Sequence, residues 1–154
     1  MTTENQNSNH LLLDTLPSAK GLRFALVVSH WNSEITESLY EGAKNILSQK
    51  NATQIDRIDV PGSFELVYAS RSAIDKDYDA VIAIGSVIRG ETSHFDYVCQ
   101  GVTNGIQQLN ALGKAPVIFC VLTDDNLDQS RTRSGGSLGT VSYTHLRAHE
   151  TSDY

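Results

Sequence analysis

Cysteine is scarce in this chain: two residues in 154. That excludes a disulfide framework. Cys99 and Cys120 each fall inside an apolar pattern and read as buried, reduced thiols of a cytoplasmic protein. Long apolar runs are missing too. No stretch approaches the ~20 residues that a membrane-spanning helix needs. There is no long basic run, and the net charge is −6, so neither nucleic acid nor an anionic membrane surface is an expected partner. Met1 to His10 is polar and lacks a basic n-region, which excludes a secretory signal. Metal-ligand spacing is nearly absent as well. His145 and His149 stand four apart, but no acidic or cysteine partner is nearby, and no metal site is expected.

What is present is an ordinary globular mix, 40% hydrophobic and 19% charged, at a length suited to about one domain. Residues 1–20 read as a flexible arm containing the apolar patch Leu11–Leu12–Leu13. Arg23 to Ser29 is a continuous apolar run, as in a strand buried on both faces. Asn32 or Ser33 then caps a helix, with Glu34 and Glu37 in its first turn and Ile35, Leu39, Ala43, Ile46 and Leu47 on one face. Ile55 to Val60 is a second strand, closed by a turn at Pro61–Gly62. A short helix follows over Phe64 to Ser72, then a third strand over Ala80 to Ile88. Phe95, Val98, Cys99, Val102, Ile106 and Leu109 mark the next helix, which ends near Gly113. Pro116 to Leu122 is the last strand, and a helix over Asp124 to Arg133 stops at Gly135–Gly136.

Strands alternating with helices predict βαβ units with right-handed crossovers. The fold class is therefore α/β, a three-layer sandwich around a four-stranded parallel sheet, flavodoxin-like. Ligands in such sheets bind at the carboxyl ends of the strands. Four segments lie there: Trp31–Asn32, Pro61 to Glu65, Gly85 to Phe95, and Thr123–Asp124.

The third of these carries the most chemistry. A strand runs into the glycine-bracketed loop Gly85–Ser86–Val87–Ile88–Arg89–Gly90–Glu91–Thr92–Ser93–His94–Phe95, and the loop opens a helix. Helix N-termini present unpaired N–H groups and partial positive charge, so they attract phosphate. His94, at the first turn, stands where an imidazole can move protons on a bound substrate. The plainer reading is a capping pair, Thr92 and Ser93, beside a surface histidine. Trp31 is placed to stack on a planar heterocycle or simply to pack in its loop. Ser63–Phe64–Glu65 can hydrogen-bond a polyol or merely cap a helix. Arg133 either grips a phosphate or complements a helix C-terminus. Phe119, mid-strand, reads as core unless it reaches an interface.

Taken together, these blocks resemble the lumazine synthase family, from about Leu22 to Gly139. Trp31–Asn32 with Ile35–Thr36, Pro61 to Glu65, Gly85 to Phe95, Phe119 and Leu122–Thr123 occur in the family's order. The resemblance implies condensation of 5-amino-6-ribitylaminouracil with 3,4-dihydroxy-2-butanone 4-phosphate. The products are 6,7-dimethyl-8-ribityllumazine, phosphate and water, made in riboflavin biosynthesis without a metal or organic cofactor. It implies that Trp31 stacks on the pyrimidine, a place where the family often has phenylalanine. Ser63, Phe64 and Glu65 contact the ribityl chain, and Val87 and Ile88 hold the pyrimidine through their backbone. Gly90, Glu91 and Thr92 hold the phosphate, and His94 transfers protons. Phe119 and Arg133 arrive from a neighbouring subunit. The resemblance also implies a homopentamer, in some members built further into a decamer or an icosahedral shell, with Leu11–Leu13 pairing on a neighbour's sheet.

The family-like domain spans 21–140. Ser137 stands where a lysine is common. From Val141 to Tyr154 the chain reads as translated adapter sequence in place of a closing amphipathic helix, and no site residue is expected in it. Two other classes remain in view. A non-catalytic flavin or lumazine binder would keep Trp31 and Glu65 yet have no need of His94 and Arg133, both of which are present. A shell-forming homologue without turnover is the other.

Overall fold

A computed structural model describes residues 14–135. The Met1–His10 arm, Leu11–Leu13, Gly136, the segment from Val141, and the pair His145 and His149 lie outside the described residues.

Four strands and four α-helices alternate along the chain. They are β1 (Arg23–Ser29), α1 (Ser33–Gln49), β2 (Gln54–Val60), α2 (Leu66–Ile74), β3 (Ala80–Ile88), α3 (His94–Ala111), β4 (Val117–Asp124) and α4 (Leu127–Ser134). A 3₁₀ turn over Ser63–Glu65 leads into α2. The sheet is parallel throughout, in the order β2-β1-β3-β4. The chain winds outward from β1 to β2, then returns to place β3 on β1's other side. The crevice between β1 and β3 is thus the point where the strand order reverses.

Each strand alternates its side chains between two helical layers. Phe24, Leu26 and Val28 of β1 meet Ile35, Leu39, Ala43 and Leu47 of α1, with Ile82 and Ile84 beside them. Ala25 and Val27 turn to the other face, against Leu66, Ala69 and Ala73 of α2 and Val102, Ile106 and Leu109 of α3. Leu26, Val27, Ile82 and Ile84 are fully buried, each such side chain worth roughly 1.5–3 kcal/mol of burial. That double burial is why β1 and β3 read as unbroken apolar runs. Among the described residues no helix is long and apolar enough to cross a membrane.

Several boundaries differ from the sequence expectation, each for a local reason. Asn32 is the N-cap of α1, but its side chain does not cap. The residue is left-handed (φ 59°), and its amide N–H₂ donates instead to the Ser86 carbonyl at 3.0 Å. Glu37 lies beyond the first turn of α1 and pairs with Arg57 of β2. β4 runs on to Asp124 rather than stopping at Leu122, because Ser86, Val87 and Ile88 continue to pair with Leu122, Thr123 and Asp124. α4 therefore starts later, capped by Asn126, whose side chain accepts the Gln129 N–H at 2.9 Å. Cys120 is buried as expected, whereas Cys99 is only half-buried, its helix face turned partly outward.

Candidate active site

At the carboxyl ends of β1 and β3 the chain encloses a cleft of about 700 Å³. Three segments converge on it, and the backbone explains each placement. The ladder between β1 and β2 continues past their ends. His30 N–H donates to the Val60 carbonyl at 2.8 Å, and Trp31 N–H to the Pro61 carbonyl at 3.0 Å. Asn32 ties the same loop to β3 through Ser86. Trp31 is thus held on both sides by main-chain or amide bonds, while its ring stays 71% exposed at the rim.

The second segment is the Ser63–Glu65 turn, which rests directly on β3. A Cβ at position 85 would stand 2.6 Å from Ser63 Oγ and 2.9 Å from Leu66 Cδ1. Only glycine leaves room there. Gly101 plays the matching part on α3, where a Cβ would stand 2.9 Å from the Phe64 ring. Phe64 still exposes 63% of its surface at the cleft. The hydroxyls of Ser63 and Ser86, both on the cleft lining, are buried without a hydrogen-bond partner among the described residues.

The third segment is the loop from Ile88 into α3. Arg89 N–H donates to the Asp124 carbonyl at 2.9 Å. The Arg89 side chain bonds Asp125 at 2.8 Å, lies 3.5 Å from Asp96 and stacks over Phe95, 4.5 Å from the ring centre. These contacts raise its already high pKa, through the Asp125 hydrogen bond first, so it stays charged. Arg89 is committed to bracing the loop, and Gly90, Glu91, Thr92 and His94 remain exposed at the helix start. Thr92 Oγ1 accepts the His94 N–H at 3.4 Å, whereas the N-cap Ser93 makes no side-chain cap bond. Burial, and secondarily the Asp96 charge, raises the Cys99 pKa on the same helix, which keeps that thiol protonated.

Nine of the residues singled out from the sequence line this one cleft: Trp31, Ser63, Phe64, Glu65, Val87, Ile88, Gly90, Thr92 and His94. Glu91, Phe119 and Arg133 do not. Phe119 is half-buried on β4, packed toward the α2 and α3 layer. Arg133 lies on α4, where Nη1 stands 2.9 Å from Asp124 Oδ1, beside a separate hollow of about 410 Å³. The lining also includes Phe95, which closes the Gly85–Phe95 segment, and Tyr97 and Val98, which lie beyond the segments read from the sequence as ligand-binding. Val98 reads from the sequence as part of the apolar face of α3. Among the described residues no group of three His, Cys, Asp or Glu side chains could hold a metal ion.

The cleft can therefore seat a flat heterocycle between exposed rings, a polyol along Ser63 to Glu65, and an anion at the α3 N-terminus. The chain matches the sequence model of the 6,7-dimethyl-8-ribityllumazine synthase family over residues 21–150. It is 54% identical over 142 residues to the 6,7-dimethyl-8-ribityllumazine synthase of Flavobacterium johnsoniae, covering 90% of this chain and 75% of the relative. The protein of that name from Christiangramia forsetii is 50% identical over 146 residues, covering 90% and 85%. The one from Phocaeicola vulgatus is 46% identical over 142 residues, covering 90% and 84%.

Proposed function

The chain belongs to the 6,7-dimethyl-8-ribityllumazine synthase family, and on that premise we propose the following division of labour within its site. The enzyme condenses 5-amino-6-ribitylaminouracil with 3,4-dihydroxy-2-butanone 4-phosphate, and phosphate and water leave. Trp31 stacks on the pyrimidine, and the backbone of Val87 and Ile88 fixes its polar edge. Ser63, Phe64 and Glu65 take the ribityl chain, Glu65 accepting from its hydroxyls. Gly90, Glu91 and Thr92 seat the phosphate where the α3 dipole favours negative charge. His94, one residue into α3, moves protons as the amine meets the carbonyl and as phosphate departs.

One observation carries this reading: residues far apart in the sequence, at 31, 63–65, 87, 88, 90, 92 and 94, line a single cleft at the strand-order reversal. Much of the rate then comes from holding two reactants in register, which raises their effective concentration without a strong acid or base. A site shared between copies is supported by Phe119 and Arg133 standing outside this cleft. In that arrangement a neighbouring subunit of a homopentamer supplies both, Phe119 against the heterocycle and Arg133 against the phosphate. A cytoplasmic location is supported by the two cysteines, Cys99 and Cys120, neither of which forms a disulfide.

The test is turnover with both substrates, followed by lumazine absorbance and fluorescence, alongside sedimentation of the protein. Product from a pentamer or larger assembly supports the reading. An assembled, folded protein that binds the pyrimidine but forms no product favours a non-catalytic binder instead.

A further inference from the structure

Asp124 is 3% exposed, and no other charged side chain among the described residues is buried. A buried carboxylate is costly unless it is paired and hydrogen-bonded. This residue is held at both its backbone and its side chain. Its backbone pairs with Ile88 in the sheet register, and its carbonyl accepts from Arg89 N–H. Oδ2 accepts the buried Ser130 hydroxyl at 2.8 Å, and Oδ1 lies 2.9 Å from Arg133 Nη1. Ser130 and Arg133 are three apart on α4 and so share one side of it. The buried residues of α4 are Ser130 and Ser134, so apolar packing does little to fix this helix. Arg133 itself is half-exposed.

From this geometry we infer that Asp124 is the positioning residue for Arg133, aiming its guanidinium at the phosphate of the phosphate-bearing substrate. The inference rests on the reading of Arg133 as the phosphate-gripping residue. A free arginine samples many rotamers and loses that freedom on binding. Anchoring one nitrogen to a carboxylate fixed by the sheet removes most of that loss beforehand. An arginine has five N–H donors, so one bond to Asp124 leaves the rest of the fork for an anion. The same sheet end carries the Arg89–Thr92 loop, so one strand edge places the phosphate loop of the chain's own cleft and the arginine offered to the adjoining one.

The test is steady-state kinetics on the assembled protein with Asp124→Asn, Arg133→Ala and the double variant. Asparagine keeps the shape and an acceptor for Ser130 but loses the charge. KM for the butanone phosphate should rise about fivefold with Asp124→Asn, the scale of one weakened charge-assisted bond. KM for the pyrimidine should hold, and kcat should stay within about twofold. Arg133→Ala should raise the same KM further, and adding Asp124→Asn to it should change nothing more. A merely structural role would lower kcat, shift both KM values, and add to the Arg133→Ala effect. That outcome overturns the inference. So does an unchanged KM in Asp124→Asn beside a raised one in Arg133→Ala, which leaves the arginine reading standing. If Arg133→Ala leaves KM unchanged, the arginine reading and the inference fall together. Should Asp124→Asn not fold, Ser130→Ala loosens the same carboxylate and should raise the same KM by a smaller factor.

Discussion

Val27 and Trp31 stand four residues apart and answer to different demands. Val27 is fully buried between β2 and β3, packed against α2 and α3, and any close-fitting aliphatic residue would explain it. Trp31 is pinned by its backbone yet leaves its ring in the open. The same contrast holds between the sheet interior and its whole carboxyl rim. Inside, Leu26, Val81, Ile82 and Ile84 are accounted for by burial alone. At the rim, Trp31, Phe64 and Tyr97 each expose well over half their surface around one cleft. Clustered exposed aromatics bordering a cleft mark a binding surface, whereas a lone exposed apolar side chain means little. The lesson is that interior residues answer to packing, whereas the rim spends exposed aromatic surface that packing does not require, and that the two demands can be separated by measurement.

Substitutions can break that separation or sharpen it. Leu66 is fully buried beneath the Ser63–Glu65 turn. Leu66→Ala should cost about 2–5 kcal/mol of unfolding free energy by chemical denaturation. A change under 1 kcal/mol would mean that the interior is not what holds the fold. His94→Ala should do the opposite. It should leave the denaturation midpoint in place and lower kcat by about 10²-fold, with measurable turnover remaining. Complete loss of activity in a folded assembly would shift the weight of catalysis from positioning to the imidazole.

Gly85 sits on the border between the two regions. A methyl there meets Ser63 Oγ and Leu66 Cδ1, so Gly85→Ala should destabilise by about 1–3 kcal/mol. It should also weaken pyrimidine binding, read by fluorescence titration, because the turn must lift from the strand. Stability loss with binding intact would detach Ser63–Glu65 from the ligand. The smallest effect belongs to Glu37, paired with Arg57 across α1 and β2. The Arg57 hydrogen bond holds the Glu37 carboxyl below its ordinary pKa. Its contribution is therefore present above about pH 4.5 and is lost as pH falls through the lowered value. Glu37→Gln should cost under about 1 kcal/mol at pH 7, since the pair is part-exposed, and the difference from the parent should vanish in acid. Thermal melts from pH 7 to pH 3 would show it.

The interior was legible in the sequence because burial on both faces writes itself as continuous apolar runs. Arg23–Ser29 and Ala80–Ile88 follow directly from them. β4 was less legible, since its last two residues, Thr123 and Asp124, are polar and are held by pairing with β3 and by Ser130 and Arg133. No local pattern encodes such partners. Asn32 misled for a related reason: its type suits a cap, but the Ser86 carbonyl, 54 positions away, takes its amide. The rim was legible where chemistry departs from packing, as at Thr92, His94 and Glu65. Val98 was missed there because a residue on an apolar helix stripe looks the same whether it faces core or ligand. No sequence period reveals that Phe119 and Arg133 stand apart from the cleft; only the family resemblance, which assigns them to a neighbouring subunit's site, leads one to expect it.

The bonds that pin Trp31 come from its own main chain and from Asn32, not from the indole. The scaffold therefore behaves as a socket: it dictates where a ring must stand and is indifferent to which ring is plugged in. Under the proposed stacking role, a chain built this way retunes its grip on a flat ligand by changing one side chain, without moving the wall that holds it.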